Sequence, residues 1–312
     1  MNIFLWHVHG SWTTAFVQGP HNYFLPVDRD RSAWGLGRAR TWTWPDSVGE
    51  VTEVVAHELA VDLVVLQRPA ELDGVAERWL GGRRPGRDVP AVYVEHNTPQ
   101  GRIDEMRHPA AGAPGITVVH VTAFNELFWD CGTSPTLVIE HGIVDPGHLY
   151  TGELPRLAVV INDAERRNRV TGTDLLSRFG EAGPVDLFGT GAERLGGIAD
   201  LPQHALHAEM ARRRVYVHPV RWTSLGLALL EAMHLGMPVV ALGTTEVTEA
   251  VPPDAGVVST SVPRLVDAAR VLLDDPDWAR QMGQAARAAA TARYGLDRFL
   301  KDWDATIVEV TR

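Results

Sequence analysis

The chain is nearly without lysine. Lys301 is the only one in 312 residues, and arginine supplies every other basic side chain. A Schiff-base lysine is excluded unless it is Lys301, which lies in a polar C-terminal helical stretch. Any phosphate held by a basic side chain is therefore expected to be held by arginine. Cysteine is as scarce. Cys131 stands alone, so no internal disulfide, thiolate metal cage or Cys-x-x-Cys redox pair can form, and a reducing compartment is expected. No uninterrupted apolar run approaches the ~20 residues that cross a bilayer. The first residues, MNIFLWHVHGSW, lack a basic leader followed by a long apolar run, so a soluble cytoplasmic protein without signal peptide is expected. Basic charge is also in deficit, with a net charge of −10. That argues against nucleic acid or an anionic membrane surface as the main partner, while leaving local arginine clusters free to bind phosphate. Internal repeats and low-complexity tracts are absent.

What is present is ordinary for a soluble globular protein: 45% apolar and 22% charged residues, in a length sufficient for two compact domains. Short β-branched apolar runs alternate with helical stretches, the pattern of parallel α/β layers. Strands are expected at 2–8, 61–67, 91–96, 116–122 and 136–142, then in a second series at 157–163, 185–189, 215–219, 238–242 and 256–259. VGEVTEVVAHELA (48–60) and TDLLSRFGEA (173–182) read as helices. The Gly- and Pro-rich stretch DPGHLYTGELP (145–155) marks the boundary between domains 1–150 and 151–312. Helix formers fill the chain from Asp274, and a final helix over 297–310 carries Phe299, Leu300, Trp303, Ile307 and Val308 on one side, packing back toward the first domain. Two such domains would bind ligands beyond the carboxyl ends of their strands, with substrate in the cleft between them.

One segment poses a question of its own. SLGLALLEAMHLGMPVV (224–240) reads as a buried helix and a strand, yet Glu231 sits near the helix middle. A lone buried carboxylate costs several kcal/mol, so it needs either a partner in the chain or a ligand hydroxyl. Thr223 or Ser224 can cap the helix, and Gly236 with Pro238 ends it. A helix N-terminus after the strand VYVHP is suited to phosphate. Glu231 would then lie about two turns on, roughly 11 Å along the axis, about the span from a diphosphate to a ribose. A carboxylate there could accept both ribose hydroxyls. Both answers stand on these residues alone.

SLGLALLEAMHLGMPVVALGTTEVTEAV (224–251) resembles the donor-binding signature of retaining glycosyltransferases of the GT-B fold, family four, the group 1 glycosyl transferases. Glu231 matches the second Glu of that family's Glu-x7-Glu pattern, and GTTEVTEAV matches its Gly-rich turn. TGTDLL (171–176), VDLFGTGAERL (185–195), LVIEHGIVDP (137–146) and the stretch from LVDAARVLL to GLDRF (265–299) extend the likeness over roughly 135–300. The resemblance implies two Rossmann-like domains facing a cleft, a nucleotide-diphosphate sugar as donor substrate, retention, and no cofactor or metal. It implies donor contacts at Arg166, Arg169, Gly172, Gly189, Thr223, Ser224, Leu225, Gly226 and Glu231. Arg166, five residues before Thr171, fits the family's phosphate-binding Arg and is also given a catalytic part.

The chain departs from the family pattern at three places. Thr223 stands where the family has its first Glu, and Thr171 where it has a phosphate-binding Lys. The first-domain His expected near Leu66, Gln67 and Arg68 is absent. Substitutes follow other strands: His9, taken as catalytic, with Gly10, Ser11 and Trp12 after the first strand, and His96 with Asn97 after the third. With Gln67 these form the acceptor side. His7 and His9 alternate and are expected on one face of a strand, although two histidines without a third ligand do not make a metal site. His120 and His141 read as structural. Trp34, Trp42 and Trp44 crowd a single loop, either to stack on sugars or, the expected case, to pack beneath the loop. A catalytically degenerate nucleotide-sugar-binding protein, perhaps a partner subunit, is the rival to an active enzyme. A sugar-nucleotide epimerase of the same shape is a third reading, less well matched. The acceptor, pathway and oligomeric state are not encoded in any recognisable motif.

Overall fold

The computed structural model describes residues 1–312. The chain forms two compact units, Met1–Gly142 with Leu296–Arg312, and Ile143–Gly295.

The first unit holds strands β1 (Asn2–Leu5), β2 (Asn22–Pro26), β3 (Val48–Val51), β4 (Leu63–Leu66), β5 (Ala91–Glu95), β6 (Ile116–His120) and β7 (Thr136–Val138). Its helices are α1 (Gly10–Phe16), α2 (Glu53–Glu58), α3 (Ala76–Trp79) and α4 (Ala123–Phe128), with the C-terminal helix Leu296–Val310. The sheet is wholly parallel in the order β3-β2-β1-β4-β5-β6-β7. Buried on both faces, its central strands are continuous apolar runs such as Leu63–Leu66, as a parallel sheet requires. Strand order reverses between β1 and β4, so the loops leaving those strands diverge and open a crevice.

The second unit holds β8 (Leu154–Val160), β9 (Val185–Phe188), β10 (Arg213–His218), β11 (Val239–Leu242) and β12 (Gly256–Ser259). Its helices are α5 (Ala164–Thr171), α6 (Leu176–Phe179), α7 (Gln203–Arg212), α8 (Leu227–Leu235), α9 (Val247–Ala250), α10 (Val262–Asp274) and α11 (Pro276–Arg293). This sheet is also parallel, ordered β12-β11-β10-β8-β9, and its reversal falls between β8 and β10. Helix α8 is buried almost all round, from Leu229 to Leu235, which explains why its sequence shows no polar stripe.

All ten expected strands form, and two more join them. β2 lies in a stretch where no element was expected, and β3 in the stretch read as helix. The segment 48–60 splits because Thr52, extended at ψ 162, ends β3 and starts α2. Strand β1 stops at Leu5, so His7 and His9 lie beyond it and do not share a strand face. His7 packs on Trp44 with ring centroids 5.0 Å apart, and His9 on His96 at 4.1 Å.

The C-terminal helix buries Phe299, Trp303 and Ile307, while Val308 is exposed. Trp303 meets Trp12 at 5.8 Å and Phe16 at 4.9 Å between ring centroids, so this helix packs on α1 within the first unit. No helix is long and apolar enough to cross a membrane.

Candidate functional site

In the second unit the loops leaving β8 and β10 meet at the strand-order reversal. Backbone N–H groups of Arg221 and Trp222 donate to the Val170 carbonyl, at 2.9 and 3.2 Å. Gly172 sits at the centre of this approach with φ +74, and a Cβ there would lie 1.9 Å from the Pro219 carbonyl oxygen. Only glycine tolerates both the left-handed backbone and the contact. Gly172→Ala is therefore expected to lower the stability of this unit by about 1–3 kcal/mol, measured by urea unfolding. Gly189 has a similar reason to be glycine, since its Cβ would meet the Ile161 carbonyl at 2.4 Å. The Gly-rich turn also joins: Thr244 Oγ1 donates to the Val220 carbonyl at 2.8 Å, and Glu246 N to the Ser224 carbonyl at 3.4 Å.

Helix α8 begins at Leu227, with extended Gly226 as N-cap and no side chain capping it. Thr223, Ser224 and Leu225 belong to the loop, contrary to the sequence expectation of a cap at 223 or 224. The physical cause is His218, whose ring packs on Gly226 closely enough that a Cβ there would meet it at 2.5 Å. Glu231 consequently lies about one turn into the helix, about 6 Å from Leu227 by the helical rise, rather than two turns. The uncapped N–H groups at its start carry the positive end of the helix dipole.

Glu231 is buried and has partners in the chain. His207 Nε2 lies 3.3 Å from Oε2, close enough to pair though not aligned as a hydrogen bond. Gln203 Nε2 donates to Oε1 at 3.5 Å. Both come from α7, so part of the carboxylate's desolvation is met inside the protein.

The arginine cluster occupies α5. Arg166 pairs with Asp163 at 2.7 Å, and Arg169 lies 3.5 Å from Asp174. Both guanidiniums are well exposed, so neither ion pair contributes much. Asp174 is held chiefly by Arg221, which grips both its oxygens, at 2.6 and 2.9 Å. Arg167 forms no close ion pair; partial burial and the charge of Arg166 lower its pKa from the usual arginine value, opposed by the charge of Asp163. Thr171, where the resembled family has a Lys, is buried and turns its hydroxyl toward the Asn168 carbonyl and Thr173 Oγ1.

In the first unit the residues expected on the acceptor side come together at the carboxyl ends of β1, β4 and β5. His9 occupies the N-cap position of α1 and packs on His96 with the rings tilted by 39°, and His96 Nε2 lies 3.0 Å from Gln67 Oε1. Trp12 touches His96 edge-on at 5.1 Å but is only 1% exposed. It is thus a core residue behind the histidine and not a surface on which a sugar could stack. Gln67, 2% exposed, is likewise a second layer. Gly10 lies under the Trp42 ring, where a Cβ would meet Nε1 at 3.0 Å. Asn97 is exposed, and its carbonyl accepts from Trp129 Nε1 at 2.9 Å. Ser11, in α1 beside Gly10, is half-buried. Trp44 packs beneath the loop and donates to Thr14 Oγ1 at 2.7 Å, whereas Trp34 lies under the Arg68 guanidinium at 4.0 Å. No group of three or more His, Cys, Asp or Glu is placed to hold a metal ion.

Residues 197–289 match the family model for Glycosyl transferases group 1. The match begins after β9 and ends in α11, spanning α7, the loop before α8, Glu231 and the Gly-rich turn. No curated protein matches the chain. Among solved structures, sucrose-phosphate synthase from Thermosynechococcus elongatus is similar with TM-score 0.72 and 12% identity, over 99% of this chain and 98% of that one. HepE from Anabaena, in complex with UDP and glucose, is similar with TM-score 0.70 and 16% identity, over 99% and 100%. A glycosyltransferase from Rickettsia africae has TM-score 0.65 and 12% identity, over 100% and 98%. The fold is GT-B, two Rossmann-like parallel α/β domains.

Several residues near the candidate sites of the two units were not singled out by the sequence. His207 and Gln203 lie more than twenty residues before Glu231, and only the packing of α7 on α8 brings them to it. His141, read as structural, stacks on His96 with centroids 6.4 Å apart, and so adjoins the candidate site. Its burial, with His9 and Arg298 nearby, lowers its pKa to about 3. Glu95 and Glu71 hold the turns that carry His96 and Gln67. A buried carboxylate next to a strand's carboxyl end was the available signal for both.

Proposed function

We propose that this protein is a glycosyltransferase that moves a sugar from a nucleotide-diphosphate sugar to a hydroxyl acceptor, with retention and without a metal ion or other cofactor, in the cytoplasm. The observation that carries the reading is the buried Glu231, one turn into an uncapped helix at the strand-order reversal, inside the segment that matches the group 1 family. In this reading Glu231 accepts the ribose hydroxyls. The N-terminus of α8, after Thr223, Ser224, Leu225 and Gly226, takes the diphosphate together with Arg166 and Arg169. Arg167, which forms no close ion pair, is a third candidate for that charge. Gly172 and Gly189 let the backbone come close. UDP is the first nucleotide to test, because the similar HepE was solved with UDP and with UDP-glucose.

The first unit supplies the acceptor side through His9, Gly10, Ser11, His96 and Asn97, with Gln67 and Trp12 behind them. The acceptor oxygen bonds to the anomeric carbon as its bond to the diphosphate oxygen breaks, and the hydroxyl proton passes to the departing phosphate. Charge growing on that phosphate meets fixed guanidinium and N–H donors. Such a front-face route needs no histidine after β4.

Calorimetry with UDP and GDP, beside turnover of a panel of sugar donors, tests the reading. Glu231→Gln is expected to weaken nucleotide binding by about 1–3 kcal/mol without loss of fold. Unchanged affinity with lowered stability would make Glu231 purely a partner of His207 and Gln203. The three departures from the family pattern favour one alternative, a binding protein that no longer transfers. Tight nucleotide binding with no turnover of any donor would establish it, and absence of binding would sink both.

A further inference from the structure

The turn after β4 is held more firmly than a surface loop requires. The Glu71 carboxylate, fully buried, accepts from the backbone N–H of Gln67 at 2.6 Å and of Arg68 at 3.2 Å. Arg68 Nε donates to its other oxygen at 2.6 Å, while Nη1 donates to the Ala33 carbonyl at 2.7 Å. The Gln67 side chain is fixed in turn. Its Nε2 donates to the Trp6 carbonyl at 2.9 Å, and a carbonyl can only accept, so the amide cannot be reversed. Oε1 is thereby the atom that faces His96 Nε2, at 3.0 Å. An amide oxygen can only accept, so Nε2 must carry the proton. The other ring nitrogen takes no hydrogen bond from the chain, and 8% of the residue stays open to solvent.

We propose that Gln67 is a positioning residue that holds His96 in its Nε2–H tautomer, so that Nδ1 offers a lone pair to the site and must meet a hydrogen-bond donor. The substrate group opposite His96 is then a hydroxyl of the sugar or the acceptor, and not a phosphate or carbonyl oxygen. This specificity rests on the glycosyl-transfer reading; the tautomer itself does not. The titratable groups facing His96 are His9, from the start of α1, and His141, after β7, with Arg298 behind His141 donating to its carbonyl at 2.6 Å. Burial and these neighbours keep the His96 pKa well below the usual histidine value, so the ring is neutral and the lone pair available.

The experiment is ¹⁵N–¹H correlation of the histidine rings in the intact protein, with His96 assigned by its loss in His96→Gln. The wild-type ring is expected to be a single Nε2–H tautomer. A ring protonated at Nδ1 would overturn the proposal without any further variant. In Gln67→Ala the tautomers are expected to mix, and kcat/KM for donor turnover to fall by about 10²-fold with unfolding temperature a separate readout. An unchanged tautomer in a folded Gln67→Ala would also overturn it. Gln67→Glu places a carboxylate on Nε2–H and favours a second proton at Nδ1, so the acid limb of the kcat/KM profile is expected to move to higher pH; an unmoved limb counts against the proposal. A wild-type Nε2–H tautomer that mixes in Gln67→Ala supports the assignment even where no donor turns over, an outcome that fails only the transfer reading.

Discussion

Taking the protein from pH 7 to pH 5 is expected to remove several kcal/mol of stability, and to do so unevenly between its two units. Burial lowers the pKa of His120 to about 4 and of His218 to about 4, and with neighbouring charges that of His141 to about 3. All three are neutral when folded, whereas in the unfolded chain they titrate near 6.5. The unfolded state therefore binds more protons below that value. Stability is complete above about pH 6.5 and is lost as pH falls toward the folded pKa values. At pH 5 each histidine accounts for roughly 2 kcal/mol, on the order of 6 kcal/mol together, against a typical total of 5–15 kcal/mol. His96 acts in the same direction. Glu71 opposes them: burial raises its pKa, so its cost is present at neutral pH and relieved as pH falls.

His120, His141 and His96 lie in the first unit and only His218 of this group in the second, so the first unit should unfold first on acidification. All tryptophans but Trp222 and Trp278 are in the first unit. The fluorescence-detected urea midpoint should thus fall faster between pH 7 and pH 5 than the midpoint from far-ultraviolet circular dichroism. Replacing His141 with Gln should flatten the fluorescence-detected slope by about 1 kcal/mol per pH unit, averaged over this window. A stability that stays level from pH 7 to pH 5 would show that these histidines take up protons without unfolding, and that their burial is not what limits the fold.

The alternation of β-branched runs and helical stretches was enough to read two parallel α/β domains, because strands buried on both faces leave continuous apolar runs. The two missed strands show where that signal fails. Val48–Val51 contains Gly49 and Glu50 and adjoins a short helix with no break in composition; only the extended backbone at Thr52 separates them. At the candidate sites, residues directly after strands were legible, since a parallel sheet delivers every such loop to one edge. His9, Gln67 and His96 were grouped in this way, and the structure brings them together although β1, β4 and β5 are far apart in the chain. Burial separates them, and burial is a tertiary property: Trp12 and Gln67 are buried more deeply than the residues they were grouped with. The start of α8 was misplaced for the same kind of reason. Ser224 is a good capping residue by type, but His218 packs against Gly226 and the tied loop uses Thr223–Leu225 otherwise.

Glu95→Ala is expected to cost about 3–5 kcal/mol, since it leaves two buried donors unpaired at about 1–3 kcal/mol each, and to loosen the turn that carries His96. One Glu95 oxygen accepts from the Asn97 backbone N–H at 2.6 Å, and the other faces His108 Nε2 at 3.1 Å. His108 Nδ1 already accepts from the Ala110 N–H at 3.0 Å, so Nε2 must be the protonated nitrogen, and Glu95 has to accept at both ends. A carboxylate does this and an amide does not. Glu95→Gln keeps the shape but turns an NH₂ toward one of the two donors, and should cost about 1–3 kcal/mol for the group left unpaired. The order wild type, Glu95→Gln, Glu95→Ala in urea midpoints tests the account, and equal stability of the Glu95→Gln variant and the wild-type protein would contradict it. Because His96 follows Glu95 directly, donor turnover should fall in the same order while UDP affinity, which the proposed function assigns to the other unit, stays constant. A loss of UDP affinity in a folded Glu95 variant would instead require that the turn bearing His96 reach the nucleotide itself.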